Sequence, residues 1–213
     1  MGRHHDMFLK PYFAFAKKSF LGRSAYRFDH FMSILNTCLQ IFIFWGIYQA
    51  LYGGRSEVDG ITMTMVSTSF ILSMGLKAVF SVDDYFLPSK VWDGSIANEF
   101  LRPVSFRGRM LAENIGNAIF NVIFHFLPAL LISVLLIGIC PPESAGMTVC
   151  FLFSTILGYG VLWTISFAVQ AAAFWAINIW SLATLKDVLI NVFSGTMIPL
   201  WFMPEWIYEA LKI

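Results

Sequence analysis

Charge is what this sequence has least of. Only 13% of its 213 residues are Asp, Glu, Lys or Arg, whereas a soluble domain carries about 25%. Hydrophobic residues make up 58% and aromatic residues 17% of the chain, and the mean hydropathy is +0.70. This shortage of charge excludes an ordinary soluble domain and indicates a polytopic membrane protein.

The sequence also lacks the short motifs that indicate an enzyme. It has no GxxxxGK(S/T) phosphate loop, so we expect no ATP hydrolysis by this chain itself. It has no HExxH, no GxSxG and no pair of aspartates of the kind that an intramembrane protease needs. His125 has no cysteine or second histidine at ligand spacing, so no metal site is expected. Nothing in the sequence indicates a cofactor or a nucleic-acid partner.

Cysteine is scarce too: the sequence has three, Cys38, Cys140 and Cys150. Cys140 and Cys150 flank the same short loop and could pair on an oxidising side. The alternative, which we favour, is that all three are small apolar residues within or near membrane spans.

Long apolar runs between the charges predict five membrane spans, since about 20 apolar residues suffice to cross the hydrocarbon. The predicted spans are 31–52, 61–81, 110–139, 147–170 and 181–202. They predict an all-α polytopic transmembrane helical bundle, a single domain over residues 1–213. No cleavable signal peptide is expected, because a basic and aromatic lead-in precedes the first run.

The distribution of basic residues predicts the orientation. Six precede the first span: Arg3, Lys10, Lys17, Lys18, Arg23 and Arg27. Four lie in the loop after the second span: Lys90, Arg102, Arg107 and Arg109. The loop after the first span has only Arg55, and the loop after the third has no Lys or Arg. The positive-inside rule therefore predicts a cytoplasmic N-terminus and a cytoplasmic segment 83–109.

Two further segments are predicted to lie at the membrane surface. Residues 6–22 mix aromatic and basic side chains, which favours an amphipathic helix on the cytoplasmic interface over a disordered tail. Residues 199–213 carry Trp and Tyr with two prolines, which favours an external re-entrant segment over a span. Lys186 and Asp187 are expected at the cytoplasmic mouth, contacting either a partner or the tail of the second span.

The cytoplasmic segment contains a short amphipathic pattern from Ser95 to Arg102. One predicted face is apolar, with Ile96, Ala97, Phe100 and Leu101, and the other is polar, with Ser95, Asn98, Glu99 and Arg102. Asp93 or Ser95 can cap the start, and Pro103 limits the end, so about two helical turns are expected. From spacing alone, the apolar face fits a partner groove as well as the membrane or the chain's own spans.

A polar stripe recurs every four residues along the third span, at Glu113, Asn117, Asn121 and His125. It could line a substrate path or a subunit interface, because ionisable groups within the membrane are functional candidates. The alternative, which we favour, is ordinary hydrogen bonding between helices.

Two phrases carry a resemblance to a known family. DGSIANEFLRPVSF (93–106) precedes the third span, and a stretch from Ser194 to Trp206 follows the fifth, with Met203 where an aromatic residue is expected. With the basic lead-in, these phrases resemble the permease subunits of type-2 ABC exporters, closest to the bacterial branch described as "ABC-2 family transporter protein". The resemblance covers essentially the whole chain.

The resemblance implies a bacterial cytoplasmic-membrane permease with six spans, so the chain is expected to be C-terminally truncated or a short copy. It implies a second permease chain, identical or different, and a separate ABC ATP-binding subunit that holds ATP and Mg²⁺. It also implies that a cytoplasmic coupling helix contacts that subunit. The implied contact residues are Asp93, Ser95, Ile96, Asn98, Glu99, Phe100, Leu101 and Arg102, with Phe100 and Leu101 as apolar anchors and Glu99 and Arg102 at the rim.

The sequence therefore predicts the membrane subunit of an ATP-driven exporter, whose work is alternating access rather than bond chemistry. The alternative is a membrane anchor or scaffold that holds a cytoplasmic partner through the same loop without transporting anything. The substrate cannot be read from the residues.

Overall fold

A computed structural model describes residues 2–25, 27–55, 57–58, 60–142, 144–176 and 178–194, together with 204–206 and 209. The helices in this part of the chain are α1 (Gly2–Ser24), α2 (Arg27–Tyr52), α3 (Met63–Val79), α4 (Phe86–Trp92), α5 (Ile96–Phe100), α6 (Phe106–Asn121), α7 (Leu127–Leu136), α8 (Ala145–Ala171) and α9 (Trp180–Phe193). A two-residue hairpin pairs β1 (Glu57–Val58) with β2 (Ile61–Thr62) in antiparallel register. The predicted all-α membrane bundle is confirmed.

Three helical stretches in the described part of the chain are long and apolar enough to cross a bilayer: Phe28–Tyr52, Phe106–Leu136 and Ala145–Phe174. They overlap the first, third and fourth predicted spans. The described part of the predicted fifth span is helical as α9, while residues 195–202 lie outside the described residues. Most of the predicted external segment 199–213 also lies outside them.

The second predicted span begins two residues later than expected, at Met63. Residues 61–62 pair instead with 57–58 across a turn at Gly60, whose φ of 80° suits glycine. Thr62 then caps α3, because its hydroxyl accepts a hydrogen bond from the Met65 N–H at 3.3 Å. The resulting helix of 17 residues rises about 25 Å, slightly less than the hydrocarbon thickness of about 30 Å.

The third span is a continuous helical rod with an irregular turn in the middle. A π-helical turn at Val122–Phe126 joins α6 to α7, and the Leu127 N–H donates to the Val122 carbonyl five residues back. Pro128 follows directly. Because proline has no N–H, it cannot continue the regular i to i−4 ladder, and the wider turn lies just before it.

The apolar core of the bundle lies between α2 and α3. Ile41 and Tyr52 of α2 pack with Val66, Phe70 and Ile71 of α3, and all five are nearly fully buried. Leu130 of α7 packs against this cluster. The first, second and third predicted spans are therefore held together by ordinary apolar packing.

The N-terminal helix α1 runs parallel to α6 along most of its length. The Ser19 hydroxyl donates to Asn117 Oδ1 at 2.7 Å, and the Phe20 ring meets Phe120 edge-on with 5.5 Å between centroids. Tyr12, nearer the start of α1, lies within 3.0 Å of Ser105 at the start of α6. The helix predicted over 6–22 thus lies inside the longer α1, whose packing partner in the bundle is α6.

Helices α8 and α9 pack on each other and, through α4, on the segment that precedes α6. Among the residues of α8, only Ser166 and Gln170 are buried. Both lie in its last turns, near α4. The rest of α8 presents apolar side chains outward, as a lipid-facing or partner-facing span does.

Candidate functional site

The short helix predicted in the segment 83–109 is present as α5. Asp93 rather than Ser95 supports its start, because Asp93 Oδ1 accepts a hydrogen bond from the Ser95 N–H at 2.8 Å. Hydrogen bonds from Ser95 also hold the pKa of the Asp93 carboxyl below its usual value. The helix has five residues, fewer than the two turns predicted, and the chain leaves the helical path ahead of Pro103.

The apolar end of α5 points outward. Phe100 is 64% exposed and Leu101 is 83% exposed. The nearest ring to Phe100 is that of Phe106, with centroids 6.0 Å apart. The possibility that this face packs on the chain's own spans is therefore not realised for these two side chains in the described structure.

Glu99 differs from its sequence-based placement. The sequence put it on the outer polar face at the rim, but its side chain is only 5% exposed. It forms ion pairs with Lys90 of α4 at 2.9 Å, with Arg102 at 3.3 Å and with Arg109 of α6. Helix periodicity cannot reveal this, because Lys90 and Arg109 come from the preceding and following helices. Glu99 ties α4, α5 and α6 together beneath the exposed apolar pair.

The surroundings of Glu99 keep it ionised. Burial alone would raise the pKa of its carboxyl, but the hydrogen bond from Lys90 and the charges of Arg109, Lys90 and Arg102 outweigh burial and lower that pKa overall. Arg109 extends the cluster, since its Nε donates to Glu113 Oε1 at 2.9 Å and its guanidinium lies 5.1 Å from the Phe15 ring centroid. The cluster thus reaches α1 as well.

A second buried polar cluster holds the other end of the same segment. Asp84, in the loop before α4, forms an ion pair with Lys186 of α9, and Lys186 also donates to the Ser166 hydroxyl of α8 at 3.2 Å. The Leu87 N–H of α4 donates to Gln170 Oε1 at 3.2 Å. Of the two contacts that the sequence left open for Lys186, the structure has the one near the tail of the second span.

The four members of the predicted polar stripe all bond within the chain. Glu113 pairs with Arg109, and Asn117 accepts from Ser19. The Asn121 amide donates to the Ala78 carbonyl at 2.9 Å and to the Ser81 hydroxyl at 3.1 Å. The Glu113 ion pair lies within α6, whereas the Asn117 and Asn121 contacts join α6 to α1 and to the end of α3.

The fourth member, His125, lies in the π-helical turn and joins a directed chain of hydrogen bonds. His30 Nε2 lies 2.5 Å from the Arg23 carbonyl, which can only accept, so this nitrogen carries a proton. With both rings neutral, His30 Nδ1 accepts from His125 Nε2–H at 3.0 Å, and His125 Nδ1 accepts from the Ser33 hydroxyl at 3.0 Å. Every ring nitrogen of His30 and His125 thereby takes part in a hydrogen bond.

The described part of the chain contains neither a candidate metal-ligand cluster nor a disulfide. No group of three or more His, Cys, Asp or Glu side chains there could hold a metal ion. All three cysteines are free, so the pairing of Cys140 with Cys150 that the sequence left open is not formed.

Fold and site together define a multi-pass membrane protein with buried ionic clusters at one end of its bundle. The sequence model of the family described as "ABC-2 family transporter protein" matches residues 33–211, which is most of the chain. The chain therefore belongs to the ABC-2 family of transporter proteins and is a membrane component of a transporter. Searches of curated proteins and of solved structures gave no match.

Proposed function

We propose that this chain is the membrane-spanning permease subunit of an ATP-driven exporter, and that α5 is the helix that a separate ATP-binding subunit presses on. One observation carries the proposal: two large apolar side chains, Phe100 and Leu101, are exposed on a short helix whose buried Glu99 fixes it to its neighbours. Exposed apolar residues on a firmly held helix suit a protein partner. The partner would bind ATP and Mg²⁺.

The surface around α5 has a shape that suits docking. A hollow of about 360 Å³ lies beside it, lined by Phe100, Val104, Phe106, Phe167 and Phe174 among others. Such a hollow can receive an apolar side chain of the ATPase, and Arg107 adds a cation to its lining. The contact residues expected from the sequence keep this role except Glu99, which we assign to holding the helix from beneath.

The two buried clusters supply the connection from α5 to the spans. Glu99 with Arg109 connects α5 to α6, and Asp84 with Lys186 connects the loop before α4 to α9. Separating Asp84 from Lys186 would leave a buried carboxylate without its cation, which costs about 3–5 kcal/mol. Separating Glu99 from Arg109 would break one contact of a cluster that also contains Lys90, Arg102 and Glu113. Force applied to α5 would therefore move these spans together with it.

The same proposal includes the location and the assembly. The basic residues before α2 and after α3 favour a cytoplasmic N-terminus and a cytoplasmic α5, in a bacterial cytoplasmic membrane. A second permease chain, identical or different, would complete the substrate path. The exposed apolar length of α8 is consistent with such a neighbour.

The test is capture of the tagged chain from its native membranes in mild detergent, followed by mass spectrometry and an ATPase assay. We expect a protein with a GxxxxGK(S/T) loop to co-purify, and ATP hydrolysis with it. The double change Phe100→Ala with Leu101→Ala should lower recovery of that protein at least about tenfold, because anchor residues of this kind contribute about 2 kcal/mol or more.

A matched control uses Leu135→Ala with Leu136→Ala, two side chains that are 76% and 73% exposed near the other end of the same span as α6. This variant should retain the partner. Equal recovery with both double variants would show that α5 is not the contact. Capture of a partner without a phosphate loop would favour the anchor or scaffold function instead.

A further inference from the structure

A polar pocket of about 390 Å³ lies where α1 ends and α2 begins. It is lined by Gly22, Arg23, Asp29, His30, Ser33 and His125. This volume lies within the range of about 300–1,000 Å³ that small-molecule sites occupy. No aromatic Phe, Tyr or Trp side chain lines this pocket in the part of the chain that the structure describes.

Most polar groups of the pocket already form hydrogen bonds within the chain. His30, Ser33 and His125 bond to one another and to the Arg23 carbonyl. The Arg23 guanidinium makes one long hydrogen bond, 3.5 Å to Asn121 Oδ1. Among the described residues, neither Arg23 nor Asp29 forms an ion pair. One cationic and one anionic group thus remain available to a ligand.

We place the pocket near the membrane boundary, because Asn121, one turn before the pocket residue His125, bonds to Ala78 and Ser81 at the end of α3. The span Phe28–Tyr52 has 25 residues, which rise about 37 Å, against a hydrocarbon thickness of about 30 Å. Asp29 and His30 are the second and third residues of this span, so they lie in its surplus length at the boundary. Asp29 is exposed, and the pocket is therefore open to the bilayer surface.

We propose that this pocket binds the headgroup of a zwitterionic phospholipid that carries a primary ammonium. Arg23 would hold the phosphate, because a guanidinium presents paired N–H donors that match phosphate oxygens. Asp29 would accept hydrogen bonds from the ammonium. A trimethylammonium headgroup has no N–H to donate and is held by aromatic rings, which the described lining lacks. A headgroup with net negative charge would be repelled by Asp29.

The experiment measures binding to the purified full-length chain in detergent by isothermal titration calorimetry. Its probes are dihexanoyl phosphatidylethanolamine, phosphatidylcholine and phosphatidylglycerol, with glycerophosphoethanolamine as a soluble headgroup without acyl chains. We expect the ethanolamine lipid to bind about tenfold more tightly than the choline lipid, the difference that a charge-assisted hydrogen bond supplies. The soluble headgroup should bind more weakly than the lipid, because it buries no acyl chain.

Three variants decide the assignment. Arg23→Gln should weaken binding of the ethanolamine lipid about tenfold. Asp29→Asn should make the affinities for the ethanolamine and choline lipids equal and should raise the affinity for the glycerol lipid. Lys18→Gln, an exposed cation on the same helix, should change nothing. Unaltered thermal unfolding without lipid would establish that each variant folds.

Two results would overturn the proposal. Equal affinities for the three lipids, unaffected by Arg23→Gln and Asp29→Asn, would show that this pocket does not select a headgroup. Binding of glycerophosphoethanolamine as tight as that of the lipid would show that the ligand is a soluble phosphodiester. Neither result bears on the contact between α5 and an ATPase, which is tested by capture.

Discussion

Gly116 of α6 lies directly against the main-chain carbonyl of Ala16 of α1. A Cβ atom at position 116 would be 2.2 Å from that oxygen, far inside van der Waals contact. The missing side chain therefore allows the two backbones to run side by side, as small residues do between membrane helices. With the hydrogen bond from Ser19 to Asn117, this contact makes α1 an integral part of the bundle.

Changing Gly116 to Ala should destabilise the protein by about 1–3 kcal/mol, because the obstructing atoms belong to a backbone that cannot rotate away. The matched control is Gly46→Ala in α2, where an added Cβ meets nothing within 4 Å. That change should be neutral or stabilise by up to about 1 kcal/mol through helix propensity. Unfolding by dodecyl sulfate in mixed micelles measures both, and equal effects would show that the α1–α6 contact is not tight.

The positions of the helices followed from local patterns. Apolar runs bounded by charges located α2, α3, α6 with α7, and α8, because a helix in lipid satisfies its own backbone and needs no distant partner. Contacts between particular residues changed where individual helices begin. The pairing of 57–58 with 61–62 delays α3, and α4 was not predicted.

The candidate site was predicted in part, because its polar contacts join distant parts of the chain. Lys186 and Asp84 are separated by 102 positions, so no window of sequence contains both. Glu99 was assigned to the outer face because periodicity alone cannot show that Lys90 and Arg109 converge on it. Spacing alone left open whether Phe100 and Leu101 face a partner, the membrane or the chain's own spans, and their contact with an ATPase stays a prediction.

Removing one partner of the Asp84–Lys186 pair should cost more than neutralising both. Lys186→Met leaves a buried carboxylate without its cation and should lower the free energy of unfolding by about 3–5 kcal/mol. Adding Asp84→Asn should recover part of that loss, because no buried charge then remains unpaired. Equilibrium unfolding of the three proteins gives the coupling energy.

Asp187 provides the control for that comparison. It also lies 3.2 Å from Lys186, but its side chain is 61% exposed, so Asp187→Asn should change stability by less than about 1 kcal/mol. A double variant no more stable than Lys186→Met alone would argue against a direct pairing of Asp84 with Lys186.

The Glu99 cluster predicts a pH dependence with a definite sign. The pKa of the Glu99 carboxyl in the folded protein lies below the ordinary value of 4.5, so the unfolded chain binds the proton more readily. The stabilisation is therefore complete above about pH 5 and is lost as the pH falls through the folded pKa. Hydrogen exchange of residues 93–109, corrected for intrinsic rates, should be constant from about pH 7 to 5 and faster below the ordinary value.

The variant Glu99→Gln isolates this effect. It should exchange faster than the wild type already at neutral pH, because a charged hydrogen-bond partner worth about 1.5–3 kcal/mol is removed. Its exchange should change less on acidification, since the titrating group is absent. Wild type and Glu99→Gln with the same protection at neutral pH would exclude a stabilising role for the cluster.

Labelling of a cysteine at position 101 tests the predicted side of the membrane. Leu101 is 83% exposed, so Leu101→Cys in a chain with Cys38, Cys140 and Cys150 replaced by alanine should react with a maleimide wherever water reaches it. Because the flanking basic residues favour the cytoplasm, a membrane-impermeant maleimide should label this cysteine in inside-out vesicles and not in intact cells. A cysteine restored at 140, which is exposed beyond the other end of the third span, should show the opposite pattern. Labelling of position 101 from outside would show that the predicted orientation is wrong and that α5 lies on the side of the membrane where no ATPase could reach it.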